Sequence, residues 1–483
     1  MHKLKQCVKK FYPLLTIIYF LSFWAILRAN YYYRDDLTRA SGGMKGWDHF
    51  SRYVSVWLSN VIHGDTYLAD AAPLPQILAI LIMALCGCFM IYLLNSNENK
   101  LSYFSLVGAV PLALTPYYLE CMSYRYDAPY MAISILASIA PFLFYKGSKK
   151  GLTAFVVASI IGILIMCMSY QASSGIFPML TVALVFKMWT EGDEAKKILR
   201  FIGAAALAYI VALCIYKFLI LTPVYSYVTT YQAPVSNIVP KTIYNMKTYF
   251  SVIIRDFKPI WLILTGLIVL AYIELGARNS KRNKALSALV ALLAALVMLL
   301  LSFGVYAVLD ESFFNPRAMY GFGVYLAIIA TCVCTAEKAY PEKAVCTALS
   351  WLFIVFAFVY GNCIRVQAEY TDFRIQLIIS DLNELEEFNN DNLKMIKFKG
   401  DIGYSPIIEN IPRDNYTMLD SLLPKPLGDE DVLSSVGFYY FYNIPNIVRY
   451  DYTTMLDENM PVLKDTVYHT IRGNGTDFVI ELK

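Results

Sequence analysis

The chain has 483 residues, 58% hydrophobic and 16% charged, with a formal net charge of +4. That balance excludes an ordinary soluble globular protein, and so small and scattered a charge excludes a nucleic-acid surface. Four histidines without ligand spacing offer no His-based metal site, and ten cysteines, mostly inside apolar runs, offer no disulfide framework.

In chain order, apolar runs close to the roughly 20 residues that cross the hydrocarbon of a bilayer predict spans. There are about eleven, near 11–28, 75–94, 101–118, 128–145, 152–169, 173–190, 198–221, 257–277, 285–308, 318–336 and 344–362. The expected fold class is an all-α polytopic membrane protein with about 11 transmembrane helices. Phe11 to Leu27 lacks a small-residue cleavage site and runs into Arg28 and a tyrosine cluster, so it reads as an uncleaved first helix. Lys3, Lys5, Lys9 and Lys10 precede it without an acid, which places the amino terminus in the cytoplasm. Alternation then puts Lys146, Lys149 and Lys150, the stretch with Lys196, Lys197 and Arg200, and the basic cluster 278–284 on that same side. An odd number of crossings sends the tail outside.

Residues 1–362 therefore form the expected membrane domain, with a first outer loop at 29–74. Residues 363–483, richer in charge and proline, form a small extracytoplasmic α/β domain. Within it Ile364 to Phe388 has helical spacing, and Thr466 to Arg472 and Phe478 to Leu482 flank Gly473-Asn474-Gly475 as a hairpin.

On this topology the unusual polar residues gather on the outer face. The first outer loop carries the adjacent acids Asp35 and Asp36 with Arg39, Trp47 and Arg52; later outer turns carry Glu120, Arg125, Asp127, Gln171 and Arg317. An adjacent acid pair has two readings: a general base that takes the proton of an attacking hydroxyl, or a helix cap. An Asp35–Arg39 ion pair at helical spacing would hold the Asp35 proton affinity down, which leans the base assignment toward Asp36. Trp47 and the tyrosines read equally as an interfacial aromatic belt. Arginines on the face where positive charge is depleted ask for an anion, and a guanidinium fork suits phosphate oxygens. Local pairing is the competing reading: Arg39 with Asp35, Arg125 with Asp127 or Glu120, Arg317 with Glu311. The spans are nearly free of ionisable groups, against the expectation for a proton-coupled carrier.

The run Arg34-Asp-Asp-Leu-Thr-Arg39 with Gly46-Trp47 and Arg52, then Pro73-Leu-Pro-Gln76, Glu120, Ser123-Tyr-Arg-Tyr-Asp127, Ser169-Tyr-Gln-Ala172 and Asn315-Pro-Arg317 resembles the bacterial GtrII-type glucosyltransferase family. The likeness is strongest over residues 31–130, and Tyr53 stands where that pattern often has a proline after the arginine. It implies a GT-C-like enzyme of the bacterial cytoplasmic membrane, moving a hexose from a polyprenyl-phosphate donor to a surface glycan such as O-antigen. By the same likeness Asp35 and Asp36 are the catalytic acids. Arg39, Arg52, Arg125 and Arg317 are phosphate or sugar ligands, and Glu120, Asp127 and Gln171 hold sugar hydroxyls. Transfer would invert the anomeric carbon. No metal or other cofactor is required, although a carboxylate pair is able to bind a divalent ion. A donor synthase and a small flippase would be functional partners. The rivals are a flippase for lipid-linked sugars, which should show repeat symmetry and a polar midplane, and a non-catalytic subunit of a polysaccharide assembly machine.

Overall fold

The computed structural model describes residues 2–95, 101–146, 148–222, 233–410, 412–425, 427–428, 442, 447–448 and 460–483. Much of the carboxyl-terminal domain expected at 363–483, including 429–441, 443–446 and 449–459, lies outside the described residues.

Among the described residues eight helices are long and apolar enough to cross a membrane, from His2–Ala29 to Tyr340–Asn383. Three shorter apolar helices, Phe104–Leu114, Ala128–Phe144 and Gly321–Thr335, fall at the remaining positions where apolar runs predict spans. The first is short because the chain breaks: Pro116 follows Thr115 and starts a new helix, Pro116–Ser123, that carries Glu120. A residue before proline is steered out of helical geometry, and proline suits a first helical turn.

Glycines let these helices close on one another. A Cβ on Gly108 would lie 2.6 Å from Thr331 Cα, and one on Gly361 would lie 2.6 Å from the Ala25 carbonyl carbon. Small residues permit such close backbone approach, which is what drives packing where lipid removes the hydrophobic contrast between helices.

Between the first two spans, the loop folds into the short helix Asp36–Gly42 and the 11-residue helix Tyr53–His63. Gly43, at φ 63°, ends the first of these in the left-handed conformation that glycine adopts without a Cβ clash. A helix over Ile238–Asp256, not read from the sequence, buries Asn245, Met246, Tyr249 and Ile253. Asn245 donates to the carbonyls of Ala307 (3.1 Å) and Leu309 (2.8 Å), fixing the turn that leads to Arg317.

Tyr340–Asn383 is a single helix of 44 residues, about 66 Å at 1.5 Å per residue, roughly twice the hydrocarbon thickness. Its far end packs on a five-stranded sheet of order β2-β1-β5-β4-β3, where β1 is Lys394–Lys399, β2 Ile447–Val448, β3 Val462–Asp465, β4 His469–Gly473 and β5 Asp477–Leu482. β1 runs parallel to β2 and β5, while β4 and β5 form the antiparallel hairpin around 474–476. Ile375, Ile378 and Leu382 of the helix join Ile396, Phe398, Phe478 and Ile480 in a small second core. The intervening segment behaves differently. Tyr404, Ile408, Met418, Leu419 and Leu422 belong to the core of the membrane unit.

Candidate active site

The acid pair divides its duties. Asp36 is fully buried, and one carboxylate oxygen accepts the backbone N–H groups of Tyr33 (3.0 Å) and Arg125 (2.9 Å). It thereby ties the loop 29–74 to the turn after Glu120. Burial pushes its carboxyl well above the usual carboxylate range, against the opposing pull of those two N–H groups. Asp35 stands at the cap position of the helix Asp36–Gly42, yet its side chain accepts no capping hydrogen bond. That side chain is 48% exposed and lies 3.9 Å from Arg39, whereas Arg39 is closer, at 3.2 Å, to Asp127. The competing cap reading of the pair is thus unoccupied, and the ion pair that leaned the assignment toward Asp36 is the longer of two.

The arginines find partners, but mostly not those nearest in sequence. Glu120, fully buried, receives the Arg317 backbone N–H at 2.6 Å and its guanidinium at 2.7 Å, with Arg34 at 3.4 Å. Arg125 pairs with Asp70 at 2.8 Å and lies 4.2 Å from the Tyr32 ring centre. Arg39 stacks 4.4 Å from the Trp47 ring, and the Trp47 indole N–H donates to Asp127. Trp47 itself is buried edge-on against Tyr130, 4.9 Å between centres, so it serves the loop's interior rather than an interfacial belt.

Arg52 differs from the other three predicted arginines. Its Nε donates to Gln171 Oε1 at 3.0 Å, and its guanidinium lies 4.8 Å from the Tyr170 ring and 5.1 Å from Phe50. Among the described residues no carboxylate lies within ion-pair distance of it. Gln171 is consumed in this arrangement, since its amide also donates to Tyr216 at 3.0 Å. Ser51, just before Arg52, sits at φ 56°, a strained conformation for a residue with a side chain.

The two groups adjoin. The Arg317 guanidinium lies 5.5 Å from the Tyr124 ring, and Tyr124 packs 5.0 Å from Tyr33 beside the acid pair; Tyr170, over which Arg52 lies, stacks 6.3 Å from Tyr320, three residues past Arg317. The structure therefore brings all ten predicted residues to the same end of the helix bundle. Sequence reasoning missed Asp70, Arg34 and Tyr33. Arg34 stood inside the quoted motif, but Asp70 had no signal beyond being an acid in the right loop. Among the described residues no group of three or more His, Cys, Asp or Glu is arranged to hold a metal ion.

Long apolar helices around a polar mouth of buried ion pairs define a multi-pass membrane protein with a candidate site at one end of its bundle. The glucosyl transferase GtrII family model matches residues 24–328, which include every candidate residue from Asp35 to Arg317, and the chain belongs to that family. It is accordingly a membrane glycosyltransferase. It is also 24% identical over 474 residues, 94% of each chain, to the "uncharacterized 55.3 kDa protein in gtrB 5'region" of Salmonella phage P22. No solved structure matches.

Proposed function

We propose that the protein transfers glucose from undecaprenyl phosphate to a hydroxyl of an O-antigen-type glycan on the outer face of the bacterial cytoplasmic membrane, with inversion at the anomeric carbon. The observation that carries this reading is a half-exposed carboxylate, Asp35, 3.9 Å from the Arg39 guanidinium, in a chain of a glucosyl transferase family. In this reading the basic amino terminus is cytoplasmic, the eight long and three short apolar helices make eleven crossings in a GT-C-like fold, and residues 363–483 lie outside.

In the reaction the acceptor oxygen attacks C1 of the sugar from the face opposite the phosphate. As the C–O bond forms, the bond from C1 to the phosphate oxygen breaks, its electron pair leaves with the lipid phosphate, and the hydroxyl proton passes to the base. Support for Asp35 in that role comes from its exposure. Asp36 has its accepting oxygen occupied by two backbone groups and is sealed from any acceptor. Arginine charge near the leaving phosphate stabilises what develops there. Glu120, Asp127 and Gln171 act by holding arginines in place and fixing the rim against which the sugar sits.

The test is transfer by the purified full-length chain in lipid nanodiscs, from undecaprenyl-phosphate glucose to a polysaccharide acceptor, with the product linkage read by NMR. Transfer that fails in Asp35→Asn supports the assignment. Full activity in that variant removes the base role. Movement of the lipid across the bilayer without transfer favours a flippase, and neither activity favours an assembly subunit.

A further inference from the structure

The helix Tyr53–His63 is amphipathic the wrong way round for a protein in water. It buries Ser55 and Ser59, Ser55 Oγ donating to the Ser169 carbonyl at 3.2 Å, and turns Tyr53, Trp57 and Val61 outward. Trp57 is 64% exposed and Val61 63%. Those three residues recur every four positions and make one stripe along the helix. No Asp, Glu, Lys or Arg lies between Tyr53 and His63. At 11 residues the helix is too short to cross a bilayer, so its outward stripe lies against something apolar at the membrane surface.

At the head of that stripe stands Arg52, the guanidinium without a carboxylate partner among the described residues. Beside it, Tyr53 hydrogen-bonds to Thr222, and Tyr216–Ile220, the π-helical end of the apolar helix that leads to Thr222, exposes Phe218 and Leu219. A cation and an apolar track thus adjoin. A bilayer acyl chain accounts for the track but not for an uncompensated guanidinium held in place by Gln171 and Tyr170. A soluble phosphate accounts for the cation but not for the track. An isoprenoid phosphate has both parts in the required order.

Resting on the donor class proposed above, we infer that Arg52 receives the donor phosphate and that the isoprenoid chain runs along Tyr53, Trp57 and Val61, over the edge made by Phe218 and Leu219. The stripe then selects donors by the lipid, independently of the sugar. Arg52 contributes a phosphate contact common to long and short donors, while Trp57 contributes only where the chain is long enough to reach it.

Two experiments on the full-length protein in nanodiscs test this. In the first, transfer is measured from undecaprenyl-phosphate glucose and from a short-chain polyprenyl-phosphate glucose that ends before the stripe. Trp57→Ala is expected to raise KM for the long donor about tenfold with kcat unchanged, leaving the short donor unaffected. Arg52→Gln is expected to raise KM for both, with partial recovery in Arg52→Lys. An equal change for both donors in Trp57→Ala, or none, overturns the track. In the second, a benzophenone-bearing polyprenyl phosphate is photolysed and the labelled peptide identified. Labelling within Tyr53–His63 that undecaprenyl phosphate suppresses and phosphatidylglycerol does not supports the site. Labelling suppressed equally by both, or absent there, overturns it. Specific labelling without sugar transfer from either donor defeats the functional reading and leaves the lipid site standing.

Discussion

Around Glu120 and Asp127 every guanidinium finds a carboxylate, whereas Arg52, stacked on Tyr170, finds among the described residues the amide of Gln171 and no carboxylate. The first group is buried and self-satisfied. It joins segments far apart in the chain, Arg39 to Asp127 and both Arg34 and Arg317 to Glu120. The second is a charge held in position without a countercharge among the described residues. Buried ion pairs contribute shape more than net stability, because desolvation offsets most of their attraction. A partly buried, oriented cation contributes recognition. The contrast separates residues that build the mouth from residues that meet the substrate.

Several substitutions sharpen or break this division. Asp35→Asn should lower kcat by about a hundredfold to ten-thousandfold, the usual range for a general base, with the thermal unfolding midpoint unchanged. A comparable loss in Asp36→Asn and none in Asp35→Asn would reverse the roles. Glu120→Ala strands the guanidinium of Arg317 and should destabilise by about 3–5 kcal/mol, seen as a large drop in the unfolding midpoint of the detergent-solubilised protein. If the protein unfolds at the wild-type temperature, the ion-pair group is not structural.

Asp36 allows a pH test. Its folded carboxyl is raised above the unfolded value, so the folded state retains a proton that the unfolded chain releases. The corresponding stability is fully present below the ordinary carboxylate range and is lost as pH rises through the folded value. Thermal midpoints measured across that window should fall for the wild type relative to Asp36→Asn, whose amide keeps an oxygen for the two backbone donors and has no proton to lose. Tyr33→Phe removes one hydroxyl bond, 2.6 Å to the Leu422 carbonyl, and should cost about 1 kcal/mol. Arg52→Gln should alter stability least, within about 0.5 kcal/mol by the same unfolding assay. A larger loss there would place Arg52 with the builders.

Much of the fold was legible because membrane spans advertise themselves by run length, a property of composition that needs no partner. Where the run was interrupted, as by Thr115-Pro116, the sequence still located the segment but not that it divides into two helices. The helix Ile238–Asp256 was missed because Lys241, Lys247, Arg255 and Asp256 leave it no long apolar run, although its apolar residues recur on one face. At the site, residue types were legible and partners were not. Charge on the outer face flagged the arginines, yet Arg125 joins Asp70 and Arg317 joins Glu120, pairings set by helix packing that leave no local spacing to read. The division of labour between Asp35 and Asp36 was hidden for the same reason, since it depends on the Arg125 backbone closing over one of them.

The threading of the tail has a bearing on how such proteins exchange parts. The chain leaves the membrane unit with the long helix, contributes β1 to the sheet, returns through Tyr404 to Leu422 to pack in the membrane core, and only then completes the sheet. Tyr33 fastens that return to the loop bearing both acids. No single cut point separates the two units. A chimera joined just past the last span would strip Tyr404 to Leu422 from the membrane core, and one joined after Leu423 would split the second core, so recombination between relatives should exchange the tail and the membrane unit together.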